Sequence, residues 1–229
     1  MSDNGIAQGI TVLVPVLNEA AVIGRLLQTL TAMDFAEIVV ADGGSTDATV
    51  DIVRSFAAVK LVCTSRGRGI QINAAAGAAT QPLLLILHAD TFLPEAAPNM
   101  IRATLGKPQT AAGCFRLSFD HATPALNLFA WCSRFETRFT TFGDQGYFFT
   151  RAALEKCGGV PCWPFLEDVA LRQRLKRHGL FVKRRECVTT SARRFKKRGA
   201  VRGQLRNCAV ILGYSLGIPI KHLVAFYDA

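Results

Sequence analysis

Residues 83–91 of this chain read LLLILHADT, an apolar run that ends in a histidine and a carboxylate. Five consecutive apolar residues predict a strand buried on both faces, as inside a parallel sheet. Ligands of open α/β sheets bind outside the carboxyl ends of the strands, where Asp90 would lie, and His88 stands two residues earlier on the same strand face. The run therefore predicts a divalent-metal or ribose contact at Asp90. An aspartate that caps the following turn is the alternative.

The segments around this strand alternate between strand and helix patterns. The predicted strands are Thr11–Val16, Ile38–Ala41, Leu61–Cys63 and Leu83–His88, and the helices between them are Glu19–Thr31, Thr46–Phe56 and Gly69–Ala79. Strands that alternate with helices of this length are typical of a parallel sheet with right-handed crossovers. We therefore predict an α/β fold with a Rossmann-like, mostly parallel central sheet flanked by helices.

The pattern is weaker after Pro94. We predict a strand at Ala111–Phe119, a helix at Ala125–Phe139, a strand at Gln145–Thr150, a basic helix at Val169–His178 and a short strand near Phe181–Val182 followed by a basic loop. The last part, Val201–Tyr227, has a helical pattern with a break at Gly217–Pro219, because glycine and proline interrupt helices.

Length and composition favour a single globular domain in a reducing compartment. The chain has 229 residues, half of them hydrophobic, which is enough for one well-packed core. Residues 1–4 lack the basic and apolar regions of a secretory signal. The seven cysteines are odd in number and form no CxxC pair, as expected of reduced thiols. We therefore expect a cytoplasmic protein.

The positive charge is concentrated at the carboxyl end. Residues 169–229 carry 15 Lys and Arg against 2 Asp and Glu, whereas residues 1–168 carry 12 against 15. Such a segment suits phosphate in a nucleotide diphosphate, an anionic lipid surface or nucleic acid. Cys208–Phe226 is too interrupted to span a bilayer. We expect a helix docked on the domain. The alternative is an interfacial helix with the cations of Arg193–Arg206 at the inner face of the plasma membrane.

A second carboxylate stands at a predicted strand end. Asp42 precedes Gly43 and Gly44, which let the backbone approach a ligand closely, while the following hydroxyl residues are suited to cap the next helix. An acid beside a glycine turn is typical of ribose binding in sheet folds. The turn after the first strand, residues 15–19, reads PVLNE and lacks G-x-G-x-x-G, which argues against a nicotinamide or flavin enzyme.

These motifs together resemble those of family 2 glycosyltransferases of the GT-A fold. TVLVPVLNE at 11–19 and VADGGSTD at 40–47 resemble the family's amino-terminal signature, HADT at 88–91 stands where it carries DXD, and FLED at 165–168 resembles its Glu-Asp acceptor motif. GRGIQIN at 67–73, GDQG at 143–146 and ARRF at 192–195 are similar to a compact radical-SAM/selenodomain-associated, arsenosugar-biosynthesis type subfamily. The resemblance implies one domain over residues 1–229, with a nucleotide-sugar half (1–95), an acceptor half (96–192) and a basic arm with carboxyl-terminal helices (193–229).

The resemblance also implies the donor site. Its nucleotide-sugar contacts would be Pro15, Asn18, Glu19, Asp42, Gly43, Gly44, Arg68, Asn73, His88, Arg193 and Arg194. Asp90, with His88, would hold Mg²⁺ or Mn²⁺, since hard cations prefer carboxylate and phosphate oxygens. His88 departs from the family's commoner Asp, and imidazole would favour Mn²⁺. A neutral, hydrogen-bonded core histidine is the alternative for His88.

The same resemblance places Asp168 as the general base, with Glu167 beside it. The apolar residues before Asp168 predict a partly dry site, which suits a catalytic carboxylate. The alternative is a helix acid that pairs with Arg172 four residues later. Asp144, Gln145 and Trp163 are predicted at the acceptor, although a turn-forming role suits Asp144 equally.

The implied reaction is inverting transfer of a sugar from a nucleotide-sugar, UDP-linked by expectation, to a hydroxyl of a small-molecule or lipid-linked acceptor, without nucleic acid. Two alternatives stay open. A nucleotidyltransferase shares the sheet and metal chemistry but needs a glycine-rich loop where this chain has residues 15–19. A non-enzymatic module could instead bind lipid or nucleic acid through residues 172–206.

Overall fold

The computed structural model describes residues 8–163, 166–193, 200–220 and 222–223. Its strands are β1 (Ile10–Val16), β2 (Glu37–Asp42), β3 (Val59–Cys63), β4 (Leu83–Ile86), β5 (Thr91–Phe92), β6 (Thr110–Phe119), β7 (Tyr147–Thr150) and β8 (Leu180–Thr190). Its helices are α1 (Ala20–Thr31), α2 (Thr49–Arg54), α3 (Arg68–Ala78), α4 (Ala97–Leu105), α5 (Pro124–Cys132), α6 (Arg151–Lys156), α7 (Glu167–Leu175) and α8 (Ala200–Ser215), with a 3-10 turn at Gly143–Gln145.

The described strands form one sheet in the order β3-β2-β1-β4-β7-β6-β8-β5. Strands β3, β2, β1 and β4 run parallel to one another, with Val14 opposite Val40 and Leu13 opposite Ile86. β7 is antiparallel to both β4 and β6, and β8 is parallel to β6. The predicted α/β fold with a mostly parallel sheet is confirmed, and the carboxyl ends of β1, β2 and β4 lie along one edge.

The core has two layers, one on each face of the sheet. On one face, side chains of α1 and α4 such as Ile23 and Ile101 pack with Leu85, and on the other, side chains of α3 and α7 pack with Leu84. All four residues of β4 are buried, because helices cover both faces of a parallel strand. This confirms the expectation drawn from the apolar run.

Two predicted elements end earlier in the structure than the sequence indicated. The strand predicted at Leu83–His88 ends at Ile86, because the chain turns where the Thr91 amide donates to the His88 carbonyl at 3.1 Å. The helix predicted to end at Phe139 stops at Cys132. The next residue is Ser133, and its hydroxyl accepts from the backbone amide of Leu117 on β6 at 2.9 Å. Helices α4 and α6 were not predicted.

The largest difference concerns the basic loop predicted after Val182. The structure has the 11-residue strand β8 there, which follows β6 from Thr110 to Phe119 with two register shifts. Long-range pairing with β6 therefore overrides a local sequence that is charged and weakly patterned.

The predicted break in the carboxyl-terminal helix is confirmed, because α8 ends at Ser215 and Gly217 follows with a left-handed φ of 83°. The Ile218 amide donates to the Gly213 carbonyl at 3.0 Å, which satisfies one of the last carbonyls of the helix. Within the described ranges no helix is both long and apolar enough to cross a bilayer.

Candidate active site

The loop after β2 is organised by Asp42, whose carboxylate faces its own turn. Asp42 Oδ2 accepts from the amides of Gly44 at 2.9 Å and Ser45 at 3.0 Å. Gly44 has a φ of +91°, which non-glycine residues rarely adopt. Asp42 is thus placed at the strand end as predicted, and its carboxylate holds the glycine turn in shape.

The loops after β1 and β2 are joined into one rim. Asn18 Oδ1 accepts from the Thr46 amide at 2.8 Å, and the Asn18 amide donates to the Ser45 hydroxyl at 2.9 Å. The Glu19 amide donates to the Thr49 hydroxyl at 2.8 Å. Pro15 lies inside β1, opposite Ala41. The predicted donor-site positions 15–19 and 42–44 therefore lie side by side.

Gln71 supports this rim from below and was missed by the sequence analysis. Its side-chain amide donates to the carbonyls of Val16 at 2.7 Å and Ala41 at 2.9 Å. A β-carbon at Gly43 would lie 2.9 Å from the Gln71 side-chain amide carbon, so a larger residue would push against it. The signal in the sequence was a polar residue, Gln71, at a helical position that shares its side of α3 with Ile72, Ala75 and Ala76.

Arg193 contacts two acids that are distant from it in the sequence. Its Nη2 forms an ion pair with the Glu19 carboxylate and lies 3.8 Å from Asp90 Oδ2. Asp90 is 7% exposed on its side chain, and its carbonyl accepts from the Ser191 amide at 3.1 Å. Three predicted donor-site residues thus meet beside the end of β4. Arg194 lies outside the described residues.

Asp168 lies at the start of α7, against the Gly143 loop. Its Oδ2 accepts from the Gly143 amide at 2.7 Å. A β-carbon at Gly143 would lie 3.1 Å from Asp168 Cβ and 3.5 Å from His88 Nε2, so the glycine allows the three groups to approach one another. Arg172 instead bonds Glu136, with an Nε–Oε1 distance of 2.7 Å. The alternative of an Asp168–Arg172 helix pair is therefore wrong.

Asp144 is the chemically unusual residue of the site. Its Oδ1 is buried and has no hydrogen-bond partner among the residues that the structure describes. Burial, together with the charges of Asp168 and Asp90, raises the pKa of Asp144 to about 7. An unsatisfied carboxylate oxygen beside two further acids is a position that a bound cation would stabilise. Asp144 therefore lies in the same carboxylate cluster as Asp90 and Asp168.

Arg68 connects the start of α3 to the start of α7. Its Nη1 donates to Glu167 Oε1 at 2.7 Å, and the Glu167 side chain is 2% exposed. Burial raises the pKa of Glu167 on balance, although the Arg68 guanidinium opposes the shift. Glu167 is therefore held by Arg68, whereas its neighbour Asp168 points to the Gly143 loop.

Three further predicted residues have supporting contacts. The Asn73 amide exchanges two 2.8 Å hydrogen bonds with the Val160 backbone, so it holds the loop that precedes α7. Gln145 is 1% exposed and donates to the Thr140 carbonyl at 2.8 Å, which places it behind the site rather than in an open acceptor pocket. Trp163 packs on Tyr214 of α8, with ring centroids 6.0 Å apart.

Lys183 is a second residue that the sequence analysis missed. Its Nζ donates to the carbonyls of Ser133 at 2.8 Å, Phe135 at 3.0 Å and Thr140 at 3.1 Å. Burial lowers the pKa of Lys183 to about 8. No local signal marked it, because it was predicted in a solvated basic loop. The interaction ties β8 to the segment that leads into the Gly143 loop.

The described residues contain no ready-made cage of three or more His, Cys, Asp or Glu side chains. The acids that do converge are Asp90, Asp144 and Asp168, beside the rim formed by residues 15–19 and 42–47. This arrangement can hold a phosphorylated ligand against the rim and place the Asp168 carboxylate nearby as a proton acceptor.

Comparison with known proteins identifies the family of this chain. Residues 11–155, more than half of the chain, match the family model described as Glycosyl transferase family 2. Validoxylamine A glucosyltransferase from Streptomyces hygroscopicus subsp. jinggangensis (strain 5008) is 47% identical over 51 residues. That match covers 20% of this chain and 12% of the relative, so the chain spans about one eighth of that relative's length.

Solved structures with the same fold cover nearly the whole chain. A mannosyltransferase from Pyrobaculum calidifontis in complex with GDP-Man and Mn²⁺ has a TM-score of 0.71 and 23% identity, over 96% of this chain and 70% of that one. Glucosyl-3-phosphoglycerate synthase from Mycobacterium tuberculosis, in complex with Mn²⁺, UDP and glucosyl-3-phosphoglycerate, has a TM-score of 0.65 and 17% identity, over 94% and 82%.

S. aureus TarS 1–349 in complex with UDP-GlcNAc has a TM-score of 0.64 and 18% identity, over 80% of this chain and 58% of that one.

The family match extends from β1 into α6 and so includes the rim, Asp90 and the Gly143 loop. The chain belongs to glycosyl transferase family 2 and has the GT-A fold of that family's glycosyltransferases.

Proposed function

We propose that this protein transfers a sugar from a nucleotide-sugar to an acceptor hydroxyl, with inversion at the anomeric carbon. The observation that carries the proposal is the close approach of Asp168, Gly143 and His88, on a chain segment that continues two residues later to Asp90 and its contact with Arg193. It brings a carboxylate base within reach of a site suited to a diphosphate. Solved neighbours hold GDP-Man, UDP-GlcNAc or UDP, which supports a nucleotide-sugar donor, and the sequence resemblance favours UDP.

In the proposed reaction Asp168 takes the proton of the acceptor hydroxyl. The acceptor oxygen forms a bond to the anomeric carbon while the bond between that carbon and the nucleotide phosphate breaks. The Gly143 amide donates to Asp168 Oδ2 at 2.7 Å and the Val169 amide donates to Oδ1 at 2.8 Å, and these two bonds orient the carboxylate. The Glu167–Arg68 ion pair connects this helix to the donor side, so Glu167 acts as a positioning residue.

The carboxylate cluster fits a divalent cation. Asp144 has a buried oxygen that no described residue hydrogen-bonds, and it senses the charge of Asp90. Two carboxylates with phosphate oxygens are suitable ligands for Mg²⁺ or Mn²⁺. Asp90, with Asp144, would hold the cation, and the role of His88 as a further ligand stays a prediction. Such a cation supplies charge stabilisation to a departing nucleotide diphosphate. Two neighbours were solved with Mn²⁺, which supports a divalent metal.

Release of free nucleotide from a panel of UDP- and GDP-sugars, with and without Mn²⁺, tests the proposal. Asp168→Asn should lower turnover at least ~10²-fold and leave donor affinity unchanged, because Asp168 acts on the acceptor. Asp90→Asn should weaken metal-dependent nucleotide binding in calorimetric titration. Asp51→Asn is the matched control, since Asp51 is 82% exposed on α2.

Two results would contradict these roles. Loss of donor binding with unchanged turnover in Asp168→Asn would place that residue at the donor. Pyrophosphate release from a nucleoside triphosphate and a sugar phosphate would indicate a nucleotidyltransferase. The loop between β1 and α1 contains no glycine, which favours transfer over that activity.

Several narrower expectations stay predictions. They are the small-molecule or lipid-linked acceptor, the absence of nucleic acid, the cytoplasmic location, the division of the chain at residues 95 and 192, the arsenosugar-type subfamily and membrane contact through Arg193–Arg206. Side chains 194–205 lie outside the described part of the structure. The basic-module alternative has less support, because Arg172 and Lys183 bond to other parts of the domain.

A further inference from the structure

Four large apolar side chains are exposed on and after α5. Leu128 is 55% exposed, Trp131 49%, Phe135 46% and Phe139 37%. Leu128 and Trp131 lie one turn apart on the same side of the helix, and the rings of Trp131 and Phe135 are in edge contact, with centroids 5.2 Å apart. We call these four residues, two on α5 and two in the segment after it, the α5 face. An exposed apolar surface of this kind is typical of an interaction site.

Cations lie beside two residues of the α5 face, Trp131 and Phe139. The Arg134 guanidinium lies 5.0 Å from the centre of the Trp131 ring. Phe139 and Arg138 line an open groove of about 680 Å³ together with Lys176 and Arg177. The only acid between residues 121 and 140 is Glu136, and its carboxylate is bound by Arg172 and by Lys176 at 3.0 Å.

We propose that the α5 face docks on an anionic lipid bilayer. Aromatic rings beside arginines are suited to the interface, where the rings lie at headgroup depth and the guanidinium groups meet phosphate. The partner must accept both apolar and cationic groups, and an anionic bilayer offers acyl chains under negative headgroups. This surface differs from Arg193–Arg206, and the proposal does not rest on the chemistry of the active site.

Vesicle co-sedimentation of the full chain tests the proposal. We expect binding to vesicles of phosphatidylcholine mixed with phosphatidylglycerol, weaker binding at higher salt, and little binding to phosphatidylcholine alone. Trp131→Ser with Phe135→Ser should lower partition at least ~10-fold. Arg134→Glu with Arg138→Glu should lower it by a similar factor on the mixed vesicles, because two attractions become repulsions.

Matched controls separate this surface from general stickiness. Leu212→Ser with Leu216→Ser removes apolar groups that are 52% and 74% exposed at α8. Arg54→Glu with Lys107→Glu makes the same charge change on α2 and after α4. Both control pairs should bind like the wild type. Thermal unfolding of each variant confirms that it is folded.

Brominated lipids give a second measurement in the unaltered protein. They should quench the emission of Trp131, and the quenched component should disappear in Trp131→Phe.

Absence of vesicle binding would overturn the proposal, as would loss of binding in the α8 control with retention in the α5 variants. A dimer in sedimentation velocity that Trp131→Ser with Phe135→Ser dissociates would also overturn it, since a second copy would then cover the face.

Discussion

Replacement of Asp144 by asparagine should make the protein more stable at neutral pH. The change keeps the shape of the side chain and removes a buried charge that lies near Asp90 and Asp168. Burial, the larger cause, and the two neighbouring acids raise the pKa of Asp144 to about 7 from the ordinary 3.8. Between pH 3.8 and about pH 7 the native protein therefore holds a proton there that the unfolded chain has released, and near pH 7 the buried charge begins to form.

The size of the effect follows from proton linkage. An acid whose pKa is higher in the native state than in the unfolded chain makes the fold less stable as the pH rises from the unfolded to the native pKa. For Asp144 this range runs from 3.8 to about 7. One pKa unit corresponds to about 1.4 kcal/mol, so the full shift amounts to about 4 kcal/mol. Between pH 5 and pH 8 the wild type should lose roughly 2–3 kcal/mol that Asp144→Asn keeps, because most of the difference in bound protons between the two states lies in that range.

Urea unfolding of both proteins across that pH range measures the difference. Asp51→Asn is the control, because Asp51 is 82% exposed and lies on α2, and its curve should follow the wild type. Metal-dependent nucleotide binding should weaken in Asp144→Asn, which would show that the charge has a function. Parallel curves of stability against pH for wild type and Asp144→Asn would refute the reasoning.

Two further substitutions test contacts that only the structure shows. Lys183→Met should lower the free energy of unfolding by about 2–4 kcal/mol, because three backbone carbonyls that accept from Nζ lose a buried donor; calorimetric unfolding measures it, and an unchanged melting temperature would contradict it. Gly143→Ala should lower turnover about 10-fold with little change in melting temperature, because the new methyl group would lie 3.1 Å from Asp168 Cβ; wild-type turnover would show that the position of Asp168 is not critical.

The donor half of the fold was predictable from local patterns. The apolar run before Asp90 and the alternation around it predicted β1 to β4 and their parallel direction, because a strand buried on both faces needs a continuous apolar sequence. The acceptor half was less predictable. β8 is charged and gains its structure from pairing with β6 along its length, and no window of its own sequence contains that information.

The site shows the same division. Asp42, Asp90 and Asp168 were identifiable from the sequence, because each follows or begins a recognisable element. Their partners come from distant parts of the chain. Arg193 reaches Glu19 and Asp90, and Gly143 lies against both Asp168 and His88 and lets them approach. The sequence alone determined which acids stand at the ends of strands and helices, since local periodicity sets those ends. Only the tertiary structure decided which of them share one low-dielectric space, because the pKa of Asp144 depends on through-space charge and burial rather than on neighbours in sequence.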